Sequence, residues 1–554
     1  MRVLGLSGTF HDAAAALVVD GRLVAFAQEE RFSRRKNDAS LPMRAAAFCL
    51  RQGGLTAADL DLVAWHEKPL LKLERVLLTS LRTWPLAPTA FRRAMVSMFG
   101  DKMWIRHHLV RDLGVDPRRV VFAEHHASHA TAALRCSPFP DAAVLCVDGV
   151  GEWATTSTWD AERPLDELHF PHSLGLLYSV FTAFLGFEVN EGEYKVMGLA
   201  AFGEPRYREA LDKVVERQAD GSFALRMEHF RFHRDPDRSW EPSFEALFGA
   251  PRAPGEPVEQ RHKDIAASVQ ALTEEILLDL ATRLHARTGK RHLCLGGGVA
   301  LNCVAVGRIL REGPFDDVFV MPAPGDAGSA LGAALLAAGG PQVTLEHAAW
   351  GAALDPDEVR RVLVDGGIAH REVADPAVEA AERLARGEVI GWMQGRFELG
   401  PRALGQRSIL ANPRDPATKE RLNRKVKHRE PFRPFAPSVL AEASADHFVL
   451  PRGGAWTRRF MTSTVPAKDP AALAAALHVD GTARVQEVHA DAQPLYARLL
   501  GEVGRRTGVP AVVNTSFNLA GEPMVASLAD GWSTFLRTDL DALVVGPYVV
   551  ERSA

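Results

Sequence analysis

Cysteine is scarce. Cys49, Cys136, Cys146, Cys294 and Cys303 are the only five in 554 residues, and none forms a Cys-x-x-Cys pair. An odd set with four members inside apolar or strand-like runs leaves no disulfide framework and predicts buried free thiols in a reducing compartment. Charge of one sign is also missing: 65 Lys and Arg face 69 Asp and Glu, a net −4. The whole surface therefore gives no argument for nucleic acid or an anionic membrane as a partner. The opening Met-Arg-Val-Leu-Gly-Leu-Ser-Gly has too few apolar residues for a signal peptide. The uncharged stretch 327–345 is mostly Ala and Gly with one Pro, which reads as a buried helix and linker, not a membrane span. No Gly-x4-Gly-Lys-Ser/Thr motif occurs, because Gly289-Lys290 is followed by Arg291, and this speaks against a P-loop mechanism. Heptads and solenoid repeats are absent too. These absences together predict a cytoplasmic protein, and 47% hydrophobic with 24% charged residues is ordinary for a globular one of two to four domains.

Hydrophobic periodicity predicts an α/β architecture, α+β in mixture. Residues 2–6, 13–19 and 22–28 read as strands, with Asp20-Gly21 as a tight hairpin turn and a polar loop at 7–12. Residues 70–109 read as mostly helical, with apolar and basic side chains mixed. A clean helical stripe runs through Ile265, Val269, Leu272, Ile276 and Leu280. Residues 292–310 and 318–337 each read as strand, glycine loop, helix. Gly339-Gly340-Pro341-Gln342 marks a linker, so the expected domains are 1–341 and 342–554.

What the chain does have is a set of metal-ligand types at strand ends. Glu124-His125-His126-Ala127-Ser128-His129 opens an Ala-rich helical stretch after the strand-like run 120–123. At 3.6 residues per turn His125 and His129 lie roughly 40° apart on one face, with His126 pointing away. Asp148 ends the apolar run 142–147, and Asp326 ends 318–325 and begins a second Ala/Gly-rich helix. Two imidazoles with hard carboxylates suit a divalent iron, manganese or zinc ion that keeps open positions. An i,i+4 histidine pair also arises by chance; the two aspartates at strand ends tip the reading toward metal.

Two further signals concern phosphate. Loops 7–12, 148–151, 296–298 and 325–328 place glycines where strands end, so that backbone amides and a following helix N-terminus can meet an anion. Any one of them is an ordinary turn. Repeated behind a hairpin-first N-terminus, they suggest an actin-like ATPase domain. From Arg396 to Arg433 there are 11 Lys and Arg against 4 Asp and Glu, a local +7. A charge run is usually a solvated face. Here Gly400-Pro401, Gly405 and Pro431-Phe432-Arg433-Pro434-Phe435 interrupt it, a folded-loop composition that fits a pocket for several phosphate groups. RNA is the competing anion, and the few stacking aromatics here count against it.

Seven motifs then resemble one family. Phe10-His11-Asp12-Ala13-Ala14-Ala15, Gln28-Glu29-Glu30-Arg31-Phe32, Asn190-Glu191-Gly192-Glu193-Tyr194-Lys195-Val196-Met197-Gly198-Leu199 and Gly298-Val299-Ala300-Leu301-Asn302 are four of them. Gly400-Pro401-Arg402-Ala403-Leu404-Gly405, Phe432-Arg433-Pro434-Phe435-Ala436-Pro437 and Asn514-Thr515-Ser516-Phe517-Asn518 complete the set. They look like the O-carbamoyltransferases of antibiotic and nodulation-factor biosynthesis, in order, from residue 1 to about 550. The resemblance implies a duplicated, actin-like Kae1-type domain at 1–341 and a YrdC-like domain at 342–554. The second would make carbamoyl-adenylate from carbamoyl phosphate and ATP with Mg2+, and the first would transfer the carbamoyl group to a hydroxyl.

The resemblance carries the metal ligands onto His125, His129, Asp148 and Asp326, with Fe2+ expected ahead of Mn2+ or Zn2+. It puts carbamoyl phosphate and ATP among Arg402, Lys427, Arg433, Arg484, Asn514 and Ser516. Gly149, Gly151, Gly297, Gly298, Asn302 and Gly325 are the nucleotide-facing candidates of the first domain. His11, supported by Asp12, is the candidate base for the acceptor hydroxyl, or else a hydrogen-bond partner of the nucleotide. Lys36 and Glu30 are candidate contacts of acceptor or phosphate. The rival readings are a Kae1-like metal-dependent hydrolase, which leaves the 396–433 cluster idle, and an actin-like kinase or scaffold. The acceptor stays open: high Ala, Arg and Gly content suggests a secondary-metabolite pathway, and the apolar-basic segment 70–110 favours a lipophilic alcohol such as a polyketide over an aminoglycoside or cephem. Oligomeric state is open as well, a homodimer being one arrangement.

Overall fold

The N-terminal strands Arg2–Ser7, Ala14–Val19 and Arg22–Gln28 form an antiparallel meander, and Leu62–Trp65 and Val120–Phe122 extend it in parallel on the other side of the first strand. These strands are nearly all Val, Leu and Ala and are buried on both faces, so their sequences run apolar without alternation. A computed structural model describes residues 1–235 and 237–552. A second five-stranded sheet has the same order and directions: Arg163–His169, Ala154–Asp160, Ala143–Val147, His292–Gly296 and Asp317–Val320.

Two helices hold these sheets together and end at the site. The helix Asp326–Ala338 packs on the first strand and on the helix His125–Arg135, and it is buried along most of its length. That closeness depends on Gly332, where a Cβ would lie 1.8 Å from the Ser128 carbonyl oxygen. A larger residue would drive Asp326 away from the histidines. The long helix Gln260–Thr288 covers the other face of the second sheet with Ile265, Val269, Leu272 and Ile276. The span read as helix from residue 299 is instead a short 3-10 turn, Gly298–Leu301, followed by the helix Cys303–Glu312. Asn302 makes the break: its side-chain oxygen accepts from the Ala305 N–H and caps the second helix.

The rear half is built on an eight-stranded mixed sheet in the order Arg371–Glu372, Tyr548–Glu551, Ala542–Val545, Ile390–Met393, Arg407–Ala411, Ala511–Ser516, Ala436–Leu440, Gln486–Val488. The architecture is therefore mixed α/β throughout. The linker is docked: Val343 and Leu345 donate to the Arg135 and Cys136 carbonyls. All five cysteines are buried and free. Among the described residues no helix is long and apolar enough to cross a membrane.

Candidate functional site

The helix His125–Arg135 begins at the mouth between the two five-stranded sheets. Its first N–H, that of His125, donates to both oxygens of Glu152 at 3.1 Å, a carboxylate seated at the positive end of the helix. One turn apart, His125 and His129 turn their Nε2 atoms toward each other at 3.0 Å. Asp148 Oδ2 lies 3.1 Å from His125 Nε2 and 3.8 Å from His129 Nε2, and Asp326 Oδ1 lies 3.5 Å from each. One donor atom from each of the four residues falls within 4.8 Å of the others. His126 faces away and bonds Ser157 Oγ at 2.8 Å.

Four converging lone-pair donors need a positive charge between them. At most one proton fits between the two Nε2 atoms, and the two carboxylates accept only. Two nitrogens bound to one ion at 2.0–2.1 Å would stand about 3.0–3.4 Å apart, which the pair already matches. The Nδ1 atoms of both histidines are buried without a protein partner, so whatever occupies the Nε2 side sets the tautomer. The donor set and its spacing fit a divalent ion of the nitrogen-and-oxygen class.

Electrostatics agree. Burial pushes His125 down, but Asp326, Asp148 and Glu152 outweigh it and carry its pKa up to about 9. Burial pushes Asp148 and Asp326 upward, and the neighbouring imidazoles reverse this, holding both well below the carboxylate range. Burial, then the neighbouring His125 and His129, carry His126 down to about 3 against a smaller upward pull from Asp148 and Asp326. The charge balance of the cluster favours a cation.

His11 closes one side. Its Nδ1 lies 3.2 Å from Asp12 Oδ2 and its Nε2 3.9 Å from Asp326 Oδ2, an ion pair with a residue of the cluster that the sequence could not foretell. Burial lowers its pKa, but Asp326 and Asp12 raise it to about 9. Sequence reasoning missed two residues behind the cluster. His66, at the end of the strand Leu62–Trp65, sits with its ring 5.3 Å from that of His125 and bonds Ser329 Oγ at 2.8 Å. Glu152 was passed over although it follows Gly149-Val150-Gly151 directly. A buried polar residue at a strand end was the available signal for both.

The glycine loops frame this cluster. Gly298 N donates to Asp148 Oδ1 at 2.9 Å, Gly297 N to the Pro324 carbonyl at 2.9 Å, and Gly151 lies so close to His125 that a Cβ would stand 3.0 Å from its ring. Gly149 accepts from Ser173 Oγ at 2.7 Å, and Gly325 immediately precedes Asp326. In this arrangement their polar groups fix the ligand loops. Asn302 exchanges amide hydrogen bonds with Gln270 at 2.9 and 3.0 Å, so its side chain braces two helices.

A second site lies where the halves meet. Arg402, Arg429, Arg433 and Arg484 crowd one another, and burial followed by these like charges drives Arg402 down to about 9 and Arg429 well below the arginine range. Arginine does not give up its proton, so the cluster holds more positive charge than Glu430, 3.6 Å from Arg433, offsets. Among the described residues neither Arg402 nor Arg484 has a carboxylate or hydrogen-bond partner for its guanidinium, and Arg484 Nε is buried unpaired. The front half supplies one wall, in which Lys36 is a candidate the sequence offers and Tyr194 a residue to which the sequence assigns no role. Tyr194 lies under the Arg433 guanidinium, 4.7 Å from its ring centroid, with Lys36 Nζ 6.0 Å away on a 3.2 Å ion pair with Glu191.

Three other candidates shape this pocket from beneath. Lys427 donates to the Ser516 carbonyl at 2.7 Å, the Asn518 carbonyl at 2.8 Å and Asn518 Oδ1 at 2.7 Å, so all three of its N–H groups hold the 516–518 turn. Ser516 Oγ donates to Asn518 Oδ1 at 2.7 Å. Asn514 is buried, its amide donating to the Ala403 carbonyl at 3.1 Å and to Gln486 and Ser438 at 3.0 Å. It supports the turn that carries Arg402. A cleft of about 760 Å³ lined by Phe202, Lys263, Lys419, Phe432 and His478 opens beside this region.

The front half thus carries a cluster whose donors suit a cation, and an arginine-rich pocket lies between the halves. Residues 2–335 match the carbamoyltransferase N-terminus and residues 381–552 the carbamoyltransferase C-terminus, so the chain belongs to the carbamoyltransferase family and is an enzyme of that kind. An uncharacterised protein of Synechocystis is 42% identical, over 100% of this chain and 97% of its own length. Nodulation protein NolNO of Sinorhizobium fredii is 39% identical over 99% of this chain and 80% of its own length. Nodulation protein NolO of Bradyrhizobium diazoefficiens is also 39% identical, over 77% and 78%.

Proposed function

We infer that the enzyme activates a carbamoyl group as its adenylate in the rear domain, 342–554, and transfers it to an alcohol in the front domain, 1–341. The repeated strand order of the two front sheets supports an actin-like, duplicated Kae1-type reading of that domain, and the rear domain is read as YrdC-like. The observation that carries the function, in a carbamoyltransferase, is the arginine cluster of this pocket, in which Arg402 and Arg484 have no carboxylate partner among the described residues and Arg433 shares Glu430 with Lys195. Carbamoyl phosphate and ATP bring the negative charge this pocket lacks, and arginine forks bind phosphate oxygens in pairs.

The balance of atoms sets the sequence of steps. Water displaces phosphate from carbamoyl phosphate to leave carbamate. A carbamate oxygen attacks the α-phosphorus of ATP and expels pyrophosphate, giving carbamoyl-adenylate. The acceptor oxygen then attacks the carbamoyl carbon, and the bond to AMP breaks. In the first steps the arginines stabilise the charge that grows on the phosphates. The cleft at Phe202 and Phe432 offers apolar room for the nucleoside.

In the front domain His125, His129, Asp148 and Asp326 would hold a divalent metal, which supplies Lewis-acid polarisation when bound. His11 stands at the edge of that cluster; where a cation held there offsets Asp326, its neutral imidazole can take the proton of the acceptor hydroxyl while Asp12 steadies the resulting imidazolium. Lys36 and Tyr194 flank the Arg433 guanidinium on the front-half side of the pocket.

Incubation with ATP and carbamoyl phosphate tests this directly. Carbamoyl-phosphate-dependent exchange of labelled pyrophosphate into ATP is the expected result, with AMP released once an alcohol acceptor is added. Release of ADP would make the protein a kinase, and turnover without nucleotide would make it a hydrolase.

A further inference from the structure

The motif Gln28-Glu29-Glu30-Arg31-Phe32 has no part in either half-reaction as described, yet it buries an arginine. Arg31 is 3% exposed. Its Nη2 donates to the Gly400 carbonyl at 2.8 Å and to Gln28 Oε1 at 3.3 Å, while Nη1 pairs with Glu30. Gln28 Oε1 also accepts from the Gly400 N–H at 3.3 Å. Both backbone groups of one rear-half glycine are thus held by two side chains of the front half.

Gly400 is no ordinary position. Its φ is +90°, and a Cβ there would lie 2.2 Å from the Pro322 carbonyl oxygen, in the segment that runs into Asp326. Two residues later comes Arg402. The far side of the same turn is tied down by Glu398, whose Oε1 accepts from the backbone N–H groups of Leu404, Gln406 and Arg407 at 2.9, 2.7 and 3.1 Å. Burying an arginine costs desolvation that Glu30 and Gln28 offset in part, and its hydrogen bond across to the rear half is to the Gly400 carbonyl. With Arg402 crowded by Arg433 and Arg484, like charges repel its guanidinium in the absence of an anion. A rigid clamp on Gly400 opposes that push.

We propose that Arg31, with Gln28, is a positioning residue for Arg402: it clamps Gly400 so that the Arg402 guanidinium stays aimed into the anion pocket. The inference rests on the assignment of that pocket to carbamoyl phosphate and ATP. Arg31 itself touches no substrate. The front half therefore takes part in the first half-reaction through this strap.

The test is a double-mutant cycle read by carbamoyl-phosphate-dependent ATP–pyrophosphate exchange on the full chain. Arg31→Gln is expected to raise KM for carbamoyl phosphate by about tenfold with little change in kcat, the effect of misaiming one charge-assisted contact. In the Arg402→Ala background the same substitution is expected to add nothing, because both act through one side chain. Gln28→Met, which removes the acceptor of the Gly400 N–H and of one Arg31 N–H but leaves Arg31 on the Gly400 carbonyl, gives a smaller KM shift of the same kind and covers the case in which Arg31→Gln fails to fold. Losses that add in the double mutant, or a fall in kcat and melting temperature at constant KM, would overturn the clamp while leaving the pocket assignment intact. An unchanged KM in Arg402→Ala alone would sink both.

Discussion

Replacing Arg402 by alanine should move activity and stability in opposite directions. A guanidinium bound to phosphate oxygens contributes about 1.5–3 kcal/mol as a charge-assisted hydrogen-bonding group. At 1.36 kcal/mol per decade this is roughly a 10- to 150-fold rise in KM for carbamoyl phosphate. Without substrate the same side chain is a liability, since it faces Arg433 and Arg484 with no carboxylate of its own. Relief of that repulsion should stabilise the substrate-free protein by about 1 kcal/mol, seen as a small rise in melting temperature. Pyrophosphate exchange against carbamoyl phosphate concentration gives the first number, and thermal unfolding without ligands gives the second. Arg402→Lys should fall between, because it keeps the charge but loses the fork. A destabilised Arg402→Ala protein with unchanged KM would refute the idea that this arginine waits for an anion.

Other outcomes follow from the front site. His125→Ala should leave pyrophosphate exchange within about twofold and lower acceptor carbamoylation by at least roughly 100-fold, the loss expected when an electrostatic group at the reacting centre is removed; equal loss of both half-reactions would contradict the division of labour. After chelation, His125 has a folded pKa of about 9 against an ordinary 6.5. A raised folded pKa contributes stability that is complete below pH 6.5 and lost as pH climbs through 9. Metal-stripped protein should therefore weaken in urea between these values, whereas metal-loaded protein, with its imidazoles held deprotonated, should not; parallel curves would count against the metal. Gly400→Ala must place a Cβ against the Pro322 carbonyl at a φ of +90°, which should cost about 1–3 kcal/mol and depress exchange and transfer together, as stability and both assays would register.

The amino-acid sequence alone determined much that is local. Alternating and continuous apolar runs placed the hairpin Arg2–Ser7, Ala14–Val19, Arg22–Gln28 and the long helix Gln260–Thr288, because side-chain periodicity is a property of neighbouring residues. The i,i+4 spacing put His125 and His129 on one helix face for the same reason, and seven motifs pointed to the family. Tertiary structure alone decided which distant groups meet. Only the packing of the helix Asp326–Ala338 against the helix His125–Arg135, permitted by Gly332, brings Asp326 within 3.5 Å of both imidazoles. Only the closure of the two halves sets Tyr194 under Arg433 and Arg31 on Gly400. Local patterns could not reveal that Asn302 braces Gln270 or that Lys427 holds the 516–518 turn, since a polar side chain takes whichever partner the folded chain brings nearest.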